Sequence, residues 1–297
     1  MGPPLPSFPR TSRRIVMAMV VLLAAVRSAA PAADEQGGKL YREHCLECHG
    51  KAGRGDGPKA ERLGFHPRDF ALGSFKCRCT PSGALPSDDD LLRIVARGLP
   101  GSPMRGFGEL LTEAEQRAVV EHVKSLAPGF GQATAHPCLE IPEPPRPTPE
   151  SVAEGEQIYR ALGCWRCHGP RGKGDGPSAG SLADDWGEPI RVFNFTTRGQ
   201  FKCGGEPSDL YRTLHTGMSG SPMPSYTEAF LFARESVAGG AALEGGYEAD
   251  EIDGFRRWAE GQPTRSDLAA MPPEGRKGLA DRRTWALVAF LKSLVKR

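Results

Sequence analysis

The chain has 297 residues, and 38 Lys and Arg against 36 Asp and Glu leave a formal charge of only +2. That balance excludes the basic bias of a nucleic-acid binder, and no nucleic-acid motif is present. The hydrophobic fraction of 39% with 37 Gly and 27 Pro is lean for one large core, and the length suits two small domains.

The N-terminus reads as an export signal. Arg10, Arg13 and Arg14 form a basic region, and the apolar run Ile15 to Val26 is too short for a comfortable membrane span. Ala30-Pro31-Ala32 supplies small residues for cleavage after Ala32, so 1–32 is expected to be a signal peptide, or an N-terminal anchor if left uncleaved. No other stretch approaches transmembrane length, and the mature chain is expected to span no membrane.

Residues 33–131 are read as a first, helical domain. A helix over Lys39 to Leu46 delivers Cys45-Leu46-Glu47-Cys48-His49, and a glycine-rich loop runs from Gly50 to Pro58. Leu91, Leu92 and Val95 predict a helix over Asp88 to Arg97. Gly98 to Gly108 is a loop. Thr112 with Glu115 three residues on is a capping box, opening a helix with Val119, Val120, Val123 and Leu126 on its apolar face. Pro128-Gly129 ends it. Residues 132–150 carry Pro142, Pro144, Pro145, Pro147 and Pro149 and are expected to be an extended, semi-rigid linker.

Residues 151–297 repeat the first domain. Cys164-Trp165-Arg166-Cys167-His168 answers the first pentapeptide, and Gly174-Asp175-Gly176-Pro177 answers Gly55-Asp56-Gly57-Pro58. Phe201-Lys202-Cys203 answers Phe75-Lys76-Cys77, and Ser221-Pro222-Met223 answers Ser102-Pro103-Met104. The displacement is 119 positions both from 45 to 164 and from 104 to 223. Helices are expected over Glu154 to Ala161, Asp209 to His215 and Arg283 to Val295. One insertion breaks the correspondence, at about 227–281. It is open as a helical excursion used in docking or as a tolerated surface insertion.

Cys-x-x-Cys-His is the attachment signal of c-type haem. Two covalent haem c groups are therefore expected, on Cys45 and Cys48 and on Cys164 and Cys167, with His49 and His168 as proximal iron ligands. Met104 and Met223 each follow their histidine by 55 positions, from 49 to 104 and from 168 to 223, and recur in the same Ser-Pro-Met triplet. A loop methionine repeated in this way is expected to be the distal ligand. Met218 is a local competitor, but its counterpart is Leu99, which cannot ligate. His44, His66, His122, His136 and His215 have no matched pair and are read as surface or packing residues. A proximal histidine needs a carbonyl for its second ring N–H, and Pro58 and Pro177 are the candidates, the alternative being an ordinary turn. Paired His and Met ligands leave no open iron position, so no catalytic residue is expected.

On these residues the chain resembles class I cytochrome c, specifically the tandem dihaem cytochromes of bacteria. The resemblance implies an all-α fold of two class I cytochrome c domains and a periplasmic electron-transfer role, with donor and acceptor proteins as partners. The alternative is a dihaem redox enzyme, similar either to cytochrome c peroxidase or to a thiosulfate dehydrogenase, in which a cysteine such as Cys77 or Cys203 ligates one iron. The spare cysteines Cys77, Cys79, Cys138 and Cys203 are open as disulfides or as thiols. Cys77 and Cys79 are too close in an extended chain to bridge each other.

Overall fold

The computed structural model describes residues 2, 29–64, 66–131, 136–197, 201–234 and 246–295. The expected signal segment lies mostly outside the described residues. Among them the regular structure is helical, with no sheet, and two isolated bridges join Gly98 to Arg105 and Ala183 to Pro189. No described helix is long and apolar enough to cross a membrane.

The first domain is built on α1 (Ala29–His44), α2 (Leu46–His49), α3 (Asp88–Arg97) and α4 (Glu113–Ser125). Helix α1 crosses α4 closely because Gly37 presents no side chain: a Cβ there would overlap the Ala118 carbonyl. Tyr41, Phe70, Phe75, Leu91, Val119 and Val120 fill the space below this crossing. Burying each aromatic or branched side chain contributes on the order of 2 kcal/mol. Ser87 caps α3 in a capping box with Asp90, and the buried Asp90 also accepts from the Cys79 N–H at 2.8 Å and pairs with Arg93 at 2.6 Å. Thr112 and Glu115 cap α4 as the spacing predicts.

The second domain repeats the plan with α5 (Pro149–Ala161), α6 (Trp165–His168), α7 (Pro207–Thr216), α8 (Ala249–Glu260), α9 (Arg265–Ala270) and α10 (Pro273–Ser293). Gly155 takes the role of Gly37, with the Ala286 carbonyl where its Cβ would be. Helix α5 starts five residues before the expected Glu154 and takes Pro149 and Glu150 from the expected linker. Thr148 caps it, and proline at its first position lacks only an N–H that has no helical partner there. The described part of that segment, 136–148, has no regular structure.

From Ala249 onward the insertion is mostly helical, while its described start at 227–234 is a run of turns. It supplies α8, α9 and the first turns of α10, which is therefore much longer than the expected Arg283 to Val295. Its Phe230, Ile252 and Phe255 are buried in the second core, and Arg283 is fully buried, donating to the carbonyls of Phe230 and Leu231. It is thus part of the domain's packing and not a loop laid over it.

The spare cysteines pair as Cys77–Cys203 and Cys79–Cys138. The first bond joins the two domains, and the second ties the segment after the first domain back onto it. A loop of 126 residues closed by Cys77–Cys203 removes denatured-state entropy worth about 5 kcal/mol on chain-entropy grounds. Such bonds belong to an oxidising compartment. Around the joint, His66 stacks on Trp186, which also lies under the Arg68 guanidinium.

His215 is a packing residue, as its lack of a repeat partner implied. It is buried between Tyr211 and Phe230, with Nε2 3.0 Å from the Thr284 hydroxyl. Burial pushes its pKa down to about 4. Between the ordinary value near 6.5 and about 4, the unfolded chain binds a proton that the native chain refuses. This site's contribution to stability is therefore full above that window, falls as pH drops through it, and amounts to about 3 kcal/mol. Thermal melts of wild type and His215→Gln from pH 7 to pH 4 should show a shallower acid loss in the variant.

Candidate functional site

Each Cys-x-x-Cys-His segment is a single helical turn, α2 or α6, set at the end of the domain's leading helix. The glycine-rich loop after it folds back onto it. Gly55 and Gly57 donate to the carbonyls of His49 and Cys48, and Gly174 and Gly176 repeat this with His168 and Cys167. Buried tyrosines lock both returns from below, Tyr41 donating to the Gly50 carbonyl and Tyr159 to the Gly169 carbonyl, both at 2.7 Å.

The histidine rings are held differently from expectation. His49 Nδ1 lies 3.3 Å from the carbonyl of Arg68, and His168 Nδ1 lies 3.0 Å from that of Phe193. The expected Pro58 and Pro177 carbonyls do not take this place. The loops that contain them spend their contacts on the carbonyls of the motif, and the next segment of chain runs past the ring instead. Glycines make that approach possible: Gly55 abuts the Pro67 carbonyl and Gly174 the Val192 carbonyl, both with positive φ. Phe70 and Phe195 stack on the two imidazoles at 4.8 and 4.5 Å between centroids. Their own N–H groups bond the Gly53 and Gly172 carbonyls.

These partners have a sequence signal that motif reading passed over. Asp69-Phe70-Ala71 and Asn194-Phe195-Thr196 are the same device, with the Asp or Asn side chain accepting from the N–H two residues on. The segment begins 20 residues after His49 but 26 after His168, so a fixed-offset comparison misses it.

Burial and apolar neighbours push the pKa of both histidines below its usual value. With Nδ1–H donating to a carbonyl, a neutral ring leaves Nε2 unprotonated with its lone pair available, which is the form a metal requires. Cys45, Cys48, Cys164 and Cys167 are free thiols, while the other four cysteines are all in disulfides. Two thiols outside any disulfide beside one carbonyl-oriented neutral imidazole, over an apolar core, fit a covalently attached haem in each domain.

Met104 and Met223 pack against the same cores as their motifs. Their loops have one geometry. Leu99 N–H bonds the Met104 carbonyl at 2.8 Å, and Met218 N–H bonds that of Met223 at 3.0 Å. Ser102 and Ser221 donate to the carbonyls of Leu99 and Met218, both at 2.7 Å. Met218 and Met223 thus close the loop, with Ser219 and Gly220 at its turn. Tyr226, three residues beyond, packs against the same core as Cys164 and Trp165, and burial pushes its pKa upward. The insertion covers the other flank: Tyr247 meets the Trp165 ring at 6.0 Å, and Glu251 pairs with Arg160 and Arg171.

Residues 32–123 match the family model "Cytochrome C oxidase, cbb3-type, subunit III", and residues 152–238 match "Cytochrome c". No curated protein sequence matches the chain. Among solved structures, a chain of the Kuenenia stuttgartiensis reducing HAO-like protein complex is similar, at 34% identity and a TM-score of 0.68, covering 88% of this chain and 96% of that one.

The glycine cradle makes a local prediction. Gly174→Ala would press a methyl group on the Val192 carbonyl at a positive φ and pull the next carbonyl, that of Phe193, away from His168. A loss of about 1–3 kcal/mol is expected. Thermal denaturation should show it, and the His168 ring N–H should exchange faster by NMR than that of His49.

Proposed function

From the premise that the chain belongs to the cytochrome c family, as two cytochrome c domains in tandem, we propose that it is a dihaem electron carrier of the periplasm with His and Met ligands at both irons. The observation that carries this reading is the duplicated constellation. Each domain sets a carbonyl-oriented histidine in a Cys-x-x-Cys-His turn and a Ser-Pro-Met loop closed by matching hydrogen bonds 55 positions later. A covalent haem supplies a one-electron iron couple whose potential a soft thioether ligand raises.

The chain's own residues do the rest. Cys45 and Cys48, and Cys164 and Cys167, would hold the group. Arg68 and Phe193 orient the two imidazoles through their carbonyls and strengthen their donation to a metal. Phe70, Phe75, Phe195 and Trp165 keep water from the proximal side. Met104 and Met223 would close the remaining position, which leaves no site for a substrate and favours transfer over catalysis. The disulfides agree with export, and the N-terminal basic and apolar segments agree with a signal peptide.

The partners are donor and acceptor redox proteins. The similar solved chain is part of a complex named as reducing and HAO-like. That likeness favours a second reading, in which this chain serves as the electron-transfer subunit of a larger redox enzyme. Copurification from the native periplasm separates the two: a free carrier elutes alone, and a subunit elutes with its enzyme.

Mass spectrometry of the exported protein is expected to show the mature chain plus two haem masses. One haem or none, in cells competent for haem attachment, overturns the reading. Met104→Ala should convert the first haem alone to a high-spin or water-ligated form and lower its potential, and Met223→Ala should do so for the second. Optical redox titration checks both, and a second haem that responds to Met218→Ala in place of Met223→Ala would reassign the ligand.

A further inference from the structure

The two methionine loops are closed by the same hydrogen bonds but have different surroundings. In the second domain, residues of the first domain grip the loop. We propose that Arg78 is a positioning residue for the Met223 loop, so that the hold of Met223 on its iron is set from across the domain boundary. The inference rests on the reading of Met223 as the distal ligand.

Arg78 is fully buried. On its own side its guanidinium donates to the carbonyls of Phe75 at 2.9 Å and Pro81 at 3.1 Å. Across the boundary it donates to the carbonyl of Thr216 at 2.8 Å and to the Ser219 hydroxyl. Thr216 is the last residue of α7, where carbonyls run out of helical partners and a cation is favoured. Ser219 lies inside the loop that Met218 and Met223 close. Arg68 adds a longer bond to the Ser219 carbonyl at 3.4 Å, and Gly220 is buried against its guanidinium. One side chain thus ties the end of α7 and the middle of the loop to the first domain. Its neighbour Cys77 makes the disulfide to Cys203 that holds the boundary shut.

The grip is not reciprocal. Phe201-Lys202-Cys203 repeats Phe75-Lys76-Cys77, but the next residue is Gly204, which has no side chain to reach back. In the first loop Pro100 stands where Ser219 stands in the second, and Gly101 has open space around it where Gly220 meets Arg68. The Met104 loop therefore relies on its own hydrogen bonds. A thioether is a weak ligand for Fe(III), so loop mobility acts chiefly on the oxidised state. The second haem is then the one whose methionine depends on the two domains being docked.

The test uses the full dihaem protein with the variants Arg78→Lys, Ser219→Ala and, as the ligand control, Met223→Ala. Imidazole is titrated into the oxidised protein while the long-wavelength thioether-to-iron absorption and each haem potential are followed. Arg78→Lys keeps the charge but loses the fork, and Ser219→Ala removes one acceptor with little threat to folding. Both should tighten imidazole binding at the second haem about tenfold and lower its potential, with the first haem unchanged. Unchanged imidazole affinity in folded Ser219→Ala and Arg78→Lys proteins overturns the inference. Equal shifts at both haems also overturn it, because they report a general loosening of the boundary. If Met223→Ala leaves the wild-type absorption of the second haem intact, the ligand assignment itself fails, and the inference with it.

Discussion

Each domain depends on a backbone-to-backbone contact between its first and last helices. Gly37 rests on the Ala118 carbonyl and Gly155 on that of Ala286, at distances no side chain would allow. This crossing fixes the angle at which the leading helix ends, and therefore where the Cys-x-x-Cys-His turn begins. The tyrosine one turn before that end, Tyr41 or Tyr159, then ties the far side of the turn to the core through a buried hydrogen bond. The histidine is held from both ends before any prosthetic group is considered. Such a frame suits electron transfer, because little has to move when a charge arrives.

The two domains share this frame and differ in what surrounds it. The first is small, and its methionine loop stands on its own hydrogen bonds. The second carries the insertion, whose aromatic residues extend the core to Trp165 inside the attachment motif. A single residue also connects the domains in an unexpected way. The carbonyl of Arg68 orients His49, and its guanidinium reaches the loop of Met223. The histidine side of the first site and the methionine side of the second are thus parts of one packed junction. The covalent bond from Cys77 to Cys203 makes that junction permanent in an oxidising compartment.

Much of this was legible in the sequence because the chain states it twice. The all-α class, the order of helices in each half, the capping box at Thr112 and the Ser-Pro-Met loops follow from local rules of spacing and from repetition. The less legible parts follow other rules. Helix α5 begins at Pro149 because a threonine cap precedes it, a local feature masked by the surrounding prolines. The acceptors for His49 and His168 come from Arg68 and Phe193 and not from Pro58 and Pro177, because the glycine loops turn their contacts toward the motif and leave the rings to the next segment.

What the sequence determined by itself, then, is whatever short-range chemistry dictates: the helical periods, the caps, the attachment motifs, and a glycine wherever backbone must touch backbone. What only the tertiary structure decided is which distant groups meet. Cys77 and Cys79 are two residues apart and equally able to form either bond, yet one joins the domains and the other secures the following segment. The insertion is open as surface or core in the sequence, and packing put Phe230 and Phe255 inside. Arg78 looks like any arginine between two cysteines. Its role arises because the closed boundary leaves it no water, and the carbonyl of Thr216 and the hydroxyl of Ser219 are the acceptors that boundary supplies.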